Sequence, residues 1–79
     1  MKIIDTELVS ELDVSKNFII QLDDGNNIIV NKWFFISNDG ADDFGSEIVS
    51  GKEFYEKMSE KQQDEFNDFM DTKCQLINY

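Results

Sequence analysis

The sequence predicts an α+β fold: a small antiparallel sheet of about three strands, then one long or broken C-terminal helix packed on one face. Three observations carry this reading. Apolar residues alternate with polar ones through the first part of the chain. A dense turn signal, Asp23-Asp24-Gly25-Asn26-Asn27, separates two apolar runs. Helical spacing of apolar residues sets in after Ser50. No repeat, linker or low-complexity tract divides the chain, so residues 1–79 are expected to form one domain.

Lys2 to Val9 reads as the first strand, with Ile4, Thr6 and Leu8 alternating against Ile3, Asp5 and Glu7. Glu11 to Asn17 is polar and reads as a connection. Phe18, Ile20 and Leu22 form one face of a second strand. Ile28, Ile29 and Val30 open a third, which continues through Trp33, Phe34, Phe35 and Ile36. Parity constrains the hairpin between them. A loop of Asp24-Gly25-Asn26 sets Leu22 opposite Ile28 and Ile20 opposite Val30, apolar against apolar. A two-residue loop at Asp24-Gly25 sets Leu22 against Asn27 and Gln21 against Ile28, which turns the apolar set to the wrong face. The three-residue loop is therefore expected, with Gly25 or Asn26 as its left-handed residue.

Ser37 to Ser50 holds Gly40, Gly45 and four acids, and reads as a loop with a short strand at Glu47-Ile48-Val49. Ser50 followed by Glu53 is a capping box that starts a helix carrying Phe54, Tyr55 and Met58. Ser59 followed by Gln62 is a second, weaker box and offers a break point. Phe66, Phe69 and Met70 then share one helical face. Cys74 to Tyr79 fits a helix end, a short strand or a tail.

Composition removes several functions. Acidic residues number 17 and basic residues 7, all Lys, for a net charge of −10. That balance opposes direct binding to nucleic acid or to an anionic membrane surface. With no His, the commonest general base and metal ligand is missing. One cysteine, Cys74, excludes an intrachain disulfide framework and a Cys-rich zinc site. It reads as a partly buried or frayed helix-end residue, with no base nearby to activate it. A carboxylate pair working on a substrate needs a deep cleft, for which a domain of this size has little room. The chain is therefore read as no enzyme and as carrying no cofactor. No apolar run reaches the ~20 residues of a membrane span, and the N-terminus lacks the apolar core of a signal peptide. A cytoplasmic location is expected.

The candidate binding surface is acidic. Glu53, Glu56, Glu60 and Asp64 follow helical spacing, as do Asp64, Asp68 and Asp71, with Glu65 beside them. Steps of three or four residues separate such carboxylates by about 4.5–6 Å along the axis, the scale of phosphates strung along a nucleic-acid strand. Like charges four residues apart each cost a few tenths of a kcal/mol. The plain alternative is a solvated face kept acidic for solubility and partly neutralised by Lys57 and Lys61. Asp39, Asp42 and Asp43 extend the negative surface from the helix toward the sheet edge. They invite a calcium-loop reading, but counting from Asp39 places Asp42 fourth and Glu47 ninth, against the alternating acids and twelfth-position Glu of an EF-hand. No metal site is expected. Trp33-Phe34-Phe35 places aromatics on both faces of one strand; the plain reading is core packing, and the sharper one is an exposed anchor for a partner.

Small size, net charge of −10, α+β layout and acidic helix stripe together resemble a class of small phage or mobile-element inhibitors. The class includes DNA mimics that block restriction enzymes, repair glycosylases, CRISPR effectors or host transcription proteins. The resemblance implies occupation of a nucleic-acid-binding groove on a basic protein such as a nuclease, CRISPR effector, repair or transcription protein. Lys and Arg lining that groove would meet Glu53, Glu56, Glu60, Asp64, Asp68 and Asp71. A second hypothesis is an acidic immunity-type or regulatory module that docks through aromatic anchors with the acids as a rim. A third is an assembly domain whose acids serve solubility alone.

Overall fold

The computed structural model describes residues 1–10, 14–36 and 42–75. Four strands and two helices follow in order: β1 (Lys2–Ser10), β2 (Ser15–Gln21), β3 (Asn27–Ile36), β4 (Asp42–Ser50), α1 (Lys52–Glu56) and α2 (Glu60–Lys73). The strands form one antiparallel meander in the order β1-β2-β3-β4. The α+β class and the C-terminal helical layer match expectation; the strand count is four rather than three.

The additional strand lies where the sequence read as a loop. β4 pairs with β3 from Ile29↔Ser50 to Ile36↔Asp42. It is an edge strand, hydrogen-bonded along one side only, so its acids and Gly45 cost less than they would in the middle of a sheet. The short strand expected at Glu47–Val49 is its distal part.

The β2–β3 hairpin differs from expectation by a slip of two. The pairs are Ile20↔Ile28 and Phe18↔Val30, and the loop is Asp23-Asp24-Gly25. Gly25 takes the left-handed conformation at φ 89°, and Asp24 accepts a hydrogen bond from the Asn26 amide at 3.0 Å. A slip of two preserves which residues share a face, so the parity argument selected the right face and the wrong partners. The turn decides between the two registers, because Gly25 closes a three-residue loop with the left-handed residue last.

Phe18, Ile20, Ile28 and Val30 are buried on one face and meet Phe66 and Cys74 from the helical layer. Ile3, Leu22, Ile48, Phe54, Tyr55, Met58, Phe69 and Met70 pack around them. β1 departs from simple alternation. A register irregularity between Ile3 and Asp5 puts Ile3 opposite Ile20 on the core side, while Ile4 is exposed. Leu8 lies opposite Lys16 and is also exposed.

The helical region is two pieces. α1 is five residues long and opens on Gly51 in the left-handed conformation, with no side-chain cap. The Ser50–Glu53 box is therefore absent: Ser50 is the last residue of β4, paired with Ile29. The weaker box is the one that forms. Ser59 Oγ accepts from the Gln62 amide at 3.2 Å, and Gln62 Oε1 accepts from the Ser59 amide at 3.0 Å. α2 then runs 14 residues and buries Phe66 completely, a contribution of about 2–3 kcal/mol. Tyr55 joins the pieces: its ring centroid lies 5.6 Å from that of Phe66, and its hydroxyl meets the Asn67 amide at 3.2 Å.

Candidate functional site

Phe66 and Met70 point α2 at the sheet, and that fixes where its acids go. At about 100° per residue, Glu60, Asp64, Asp68 and Asp71 fall within an arc of about 80° on the opposite side of the helix. All four are exposed. They are brought together as one stripe along the outer surface of α2.

The remaining predicted acids stand apart from it. Glu53 and Glu56 are exposed on α1, which ends before Lys57, so the expected run Glu53–Glu56–Glu60–Asp64 is not one helical series. Met58 and Ser59 leave helical geometry to form the new cap, which breaks the spacing. Glu65 turns away from the stripe and lines a groove of ≈ 360 Å³ with Met1, Leu22, Phe54 and Met58, beside the β2–β3 loop. Asp42 and Asp43 lie in β4, opposite Ile36 and Phe35. Asp39 lies outside the described residues.

Neither Lys57 nor Lys61 forms an ion pair with the acids of the stripe. Among the described residues the sole ion pair joins the Met1 α-ammonium to Asp23 at 2.6 Å, and it holds the Asp23 carboxyl below its usual range. Lys57 is the C-cap of α1, and the end of that helix carries it out of register with the carboxylates. The stripe therefore faces solvent without a lysine partner. Among the described residues no group of three or more potential metal ligands converges. None of their helices is long and apolar enough to cross a membrane.

Lys32 is employed elsewhere. Its Nζ donates to the Met70 carbonyl at 2.9 Å and the Cys74 carbonyl at 2.8 Å, capping the C-terminal end of α2. Cys74 is fully buried in the core rather than frayed. Burial pushes its thiol pKa up, and the Lys32 charge opposes part of that rise. The sequence missed this link because lysine in a strand 42 residues away gives no local sign of a helix cap.

The face of the sheet opposite the helices is a second surface. Its rows run Asp5–Ile19–Ile29–Ser50 and Glu7–Asn17–Asn31–Glu47, followed by Ser15–Trp33–Gly45. The Asn31 amide donates to Asn17 Oδ1 at 2.9 Å and to Ser15 Oγ at 3.0 Å, tying β2 to β3. Trp33 is half-buried there, while Phe34 lies on the helix side opposite Phe44. Aromatics thus occupy both faces of β3, as expected.

Comparison with protein-family models, with curated proteins and with solved structures finds no match.

Proposed function

We propose that this chain is a non-catalytic inhibitor that occupies the nucleic-acid-binding groove of a basic protein. One observation carries the reading: Glu60, Asp64, Asp68 and Asp71 share the outer side of α2 with no lysine paired to them. Three intervals over 11 residues give one charge per about 5.5 Å of axis. A DNA strand presents one per about 3.4 Å, so the stripe carries roughly 60% of the linear charge density of a single strand. Steering by such a field speeds association and weakens with salt. Nucleases, CRISPR effectors, repair and transcription proteins of a host cell are the partner classes, and the cytoplasm is where they would be met.

Retention of partners from a lysate at low and high salt, followed by competition with nucleic acid, tests this. A triple variant, Glu60→Lys, Asp64→Lys and Asp68→Lys, is expected to lose its partner while its far-UV circular dichroism stays that of the folded chain. Unchanged capture by that variant removes the stripe from the mechanism. A second reading, docking through an aromatic patch without nucleic-acid mimicry, draws support from the half-buried position of Trp33 on the sheet face opposite the helices. A partner held without displacement of its nucleic acid would favour it.

A further inference from the structure

We infer that the face of the sheet opposite the helices is a docking surface for an arginine side chain of a basic protein partner, with Trp33 as the stacking platform. The helical layer covers only the face that carries Phe18, Ile20, Ile28 and Val30. The other face has no second layer among the described residues, yet it holds the single tryptophan of the chain.

The geometry around Trp33 is specific. Its partner across β3–β4 is Gly45, and a Cβ there would lie 2.4–2.9 Å from Trp33 Cζ2, Cε2 and Cη2. The six-membered ring therefore lies directly against the Gly45 backbone, in space that another residue would fill. That packing fixes one side of the indole, and Trp33 still retains solvent-accessible surface. A fixed, partly open indole on a sheet face with no second layer among the described residues suits a planar cation.

The charges agree. Next to the Trp33 row, the row Glu7–Asn17–Asn31–Glu47 spans four strands, about 14 Å, and ends in an exposed carboxylate on each side. Glu47 is diagonal to Trp33 across the β3–β4 pair, a separation of about 7–8 Å between neighbours of that kind. A guanidinium stacked on the indole can reach that carboxylate. Arginine fits better than lysine because its plane stacks while its edge donates to a carboxylate. The inference rests on the second reading above, docking through an aromatic patch, because the Trp33 face and the α2 stripe lie on opposite sides of the fold, and it adds the chemistry of that contact.

The test uses octa-arginine and octa-lysine peptides with the whole chain in 150 mM salt, about physiological screening. Saturation with octa-arginine is expected to shift Trp33 emission, and calorimetry to show tighter binding than octa-lysine. Glu47→Gln should weaken octa-arginine binding about threefold, whereas Asp64→Asn, which removes the same charge from α2, should change it less than twofold. Trp33→Leu should weaken it by about threefold to fivefold and erase the preference for arginine. If that variant does not fold, the wild-type emission and the Glu47 and Asp64 variants still decide. Unchanged Trp33 emission at saturation, equal affinity for the two peptides, or equal losses in Glu47→Gln and Asp64→Asn would each overturn the inference. The stripe on α2 is judged separately, by partner capture with its triple variant, so either idea can fail alone.

Discussion

Lys32 of β3 donates from one ammonium to the carbonyl of Cys74, at 2.8 Å, and to that of Met70, at 2.9 Å, across the sheet–helix interface. A helix end leaves its last carbonyls without backbone partners, and a cation there also meets the negative end of the helix dipole. Lys32→Met keeps much of the aliphatic stem and removes both bonds. The expected loss is about 2 kcal/mol in denaturant unfolding, as for hydrogen bonds to charged groups. Lys57→Met, at an exposed position, should change stability by less than about 0.5 kcal/mol. Equal effects of the two substitutions would deny Lys32 its capping role.

Burial at the same junction governs Cys74. The native thiol should resist a water-soluble disulfide reagent and react only as the chain opens, so its rate should rise steeply with denaturant. The linkage has a definite sign. Burial favours the neutral thiol in the folded chain, so its pKa there is raised. Its contribution is complete below the unfolded thiol value of about 8.5 and is lost as pH rises from there through the folded value. Cys74→Ala should flatten that alkaline decline. An unaltered pH dependence in the variant would assign the decline to other groups.

Much of the fold is legible from short-range pattern. Parity placed Phe18, Ile20, Ile28 and Val30 on one face because a strand repeats every two residues whatever the pairing register. The register itself was not legible, since a slip of two leaves parity unchanged and the turn residues decide. β4 was hidden because Asp42, Asp43 and Gly45 carry loop composition, while its stabilisation comes from pairing with β3. The acidic site was half legible. Spacing grouped Glu60, Asp64, Asp68 and Asp71 correctly, but it could not foresee that Met58 and Ser59 would separate Glu53 and Glu56 from them. No local signal placed Trp33 over Gly45, a relation between strands.

Ser59 and Ser50 offer a direct comparison of two sequence motifs that look alike. Ser59 caps α2 through reciprocal bonds with Gln62, whereas Ser50 ends β4 and its side chain caps nothing. Ser59→Ala should cost about 1 kcal/mol in equilibrium unfolding. Ser50→Ala should cost less than about 0.5 kcal/mol, as expected for an exposed position outside a cap. The reverse order would place the working helix start at Ser50 and restore one continuous series from Glu53 to Asp64.

Gly45 should be intolerant of even one methyl group. A Cβ at this position would lie 2.4 Å from Trp33 Cζ2, well inside contact distance, so the ring must leave its seat or the edge strand must move. Overpacking of this kind costs about 1–3 kcal/mol. The displaced indole should also change its environment, so Gly45→Ala is expected to shift the emission maximum of Trp33 and to lower stability together. Relief should follow when the ring is removed. In a double-mutant cycle, adding Gly45→Ala to Trp33→Leu should cost far less than adding it to the wild-type chain, because the two sites are in contact. Additive losses would mean that the methyl group clashes with something other than the indole. They would also undercut Trp33 as a ring held in place by Gly45.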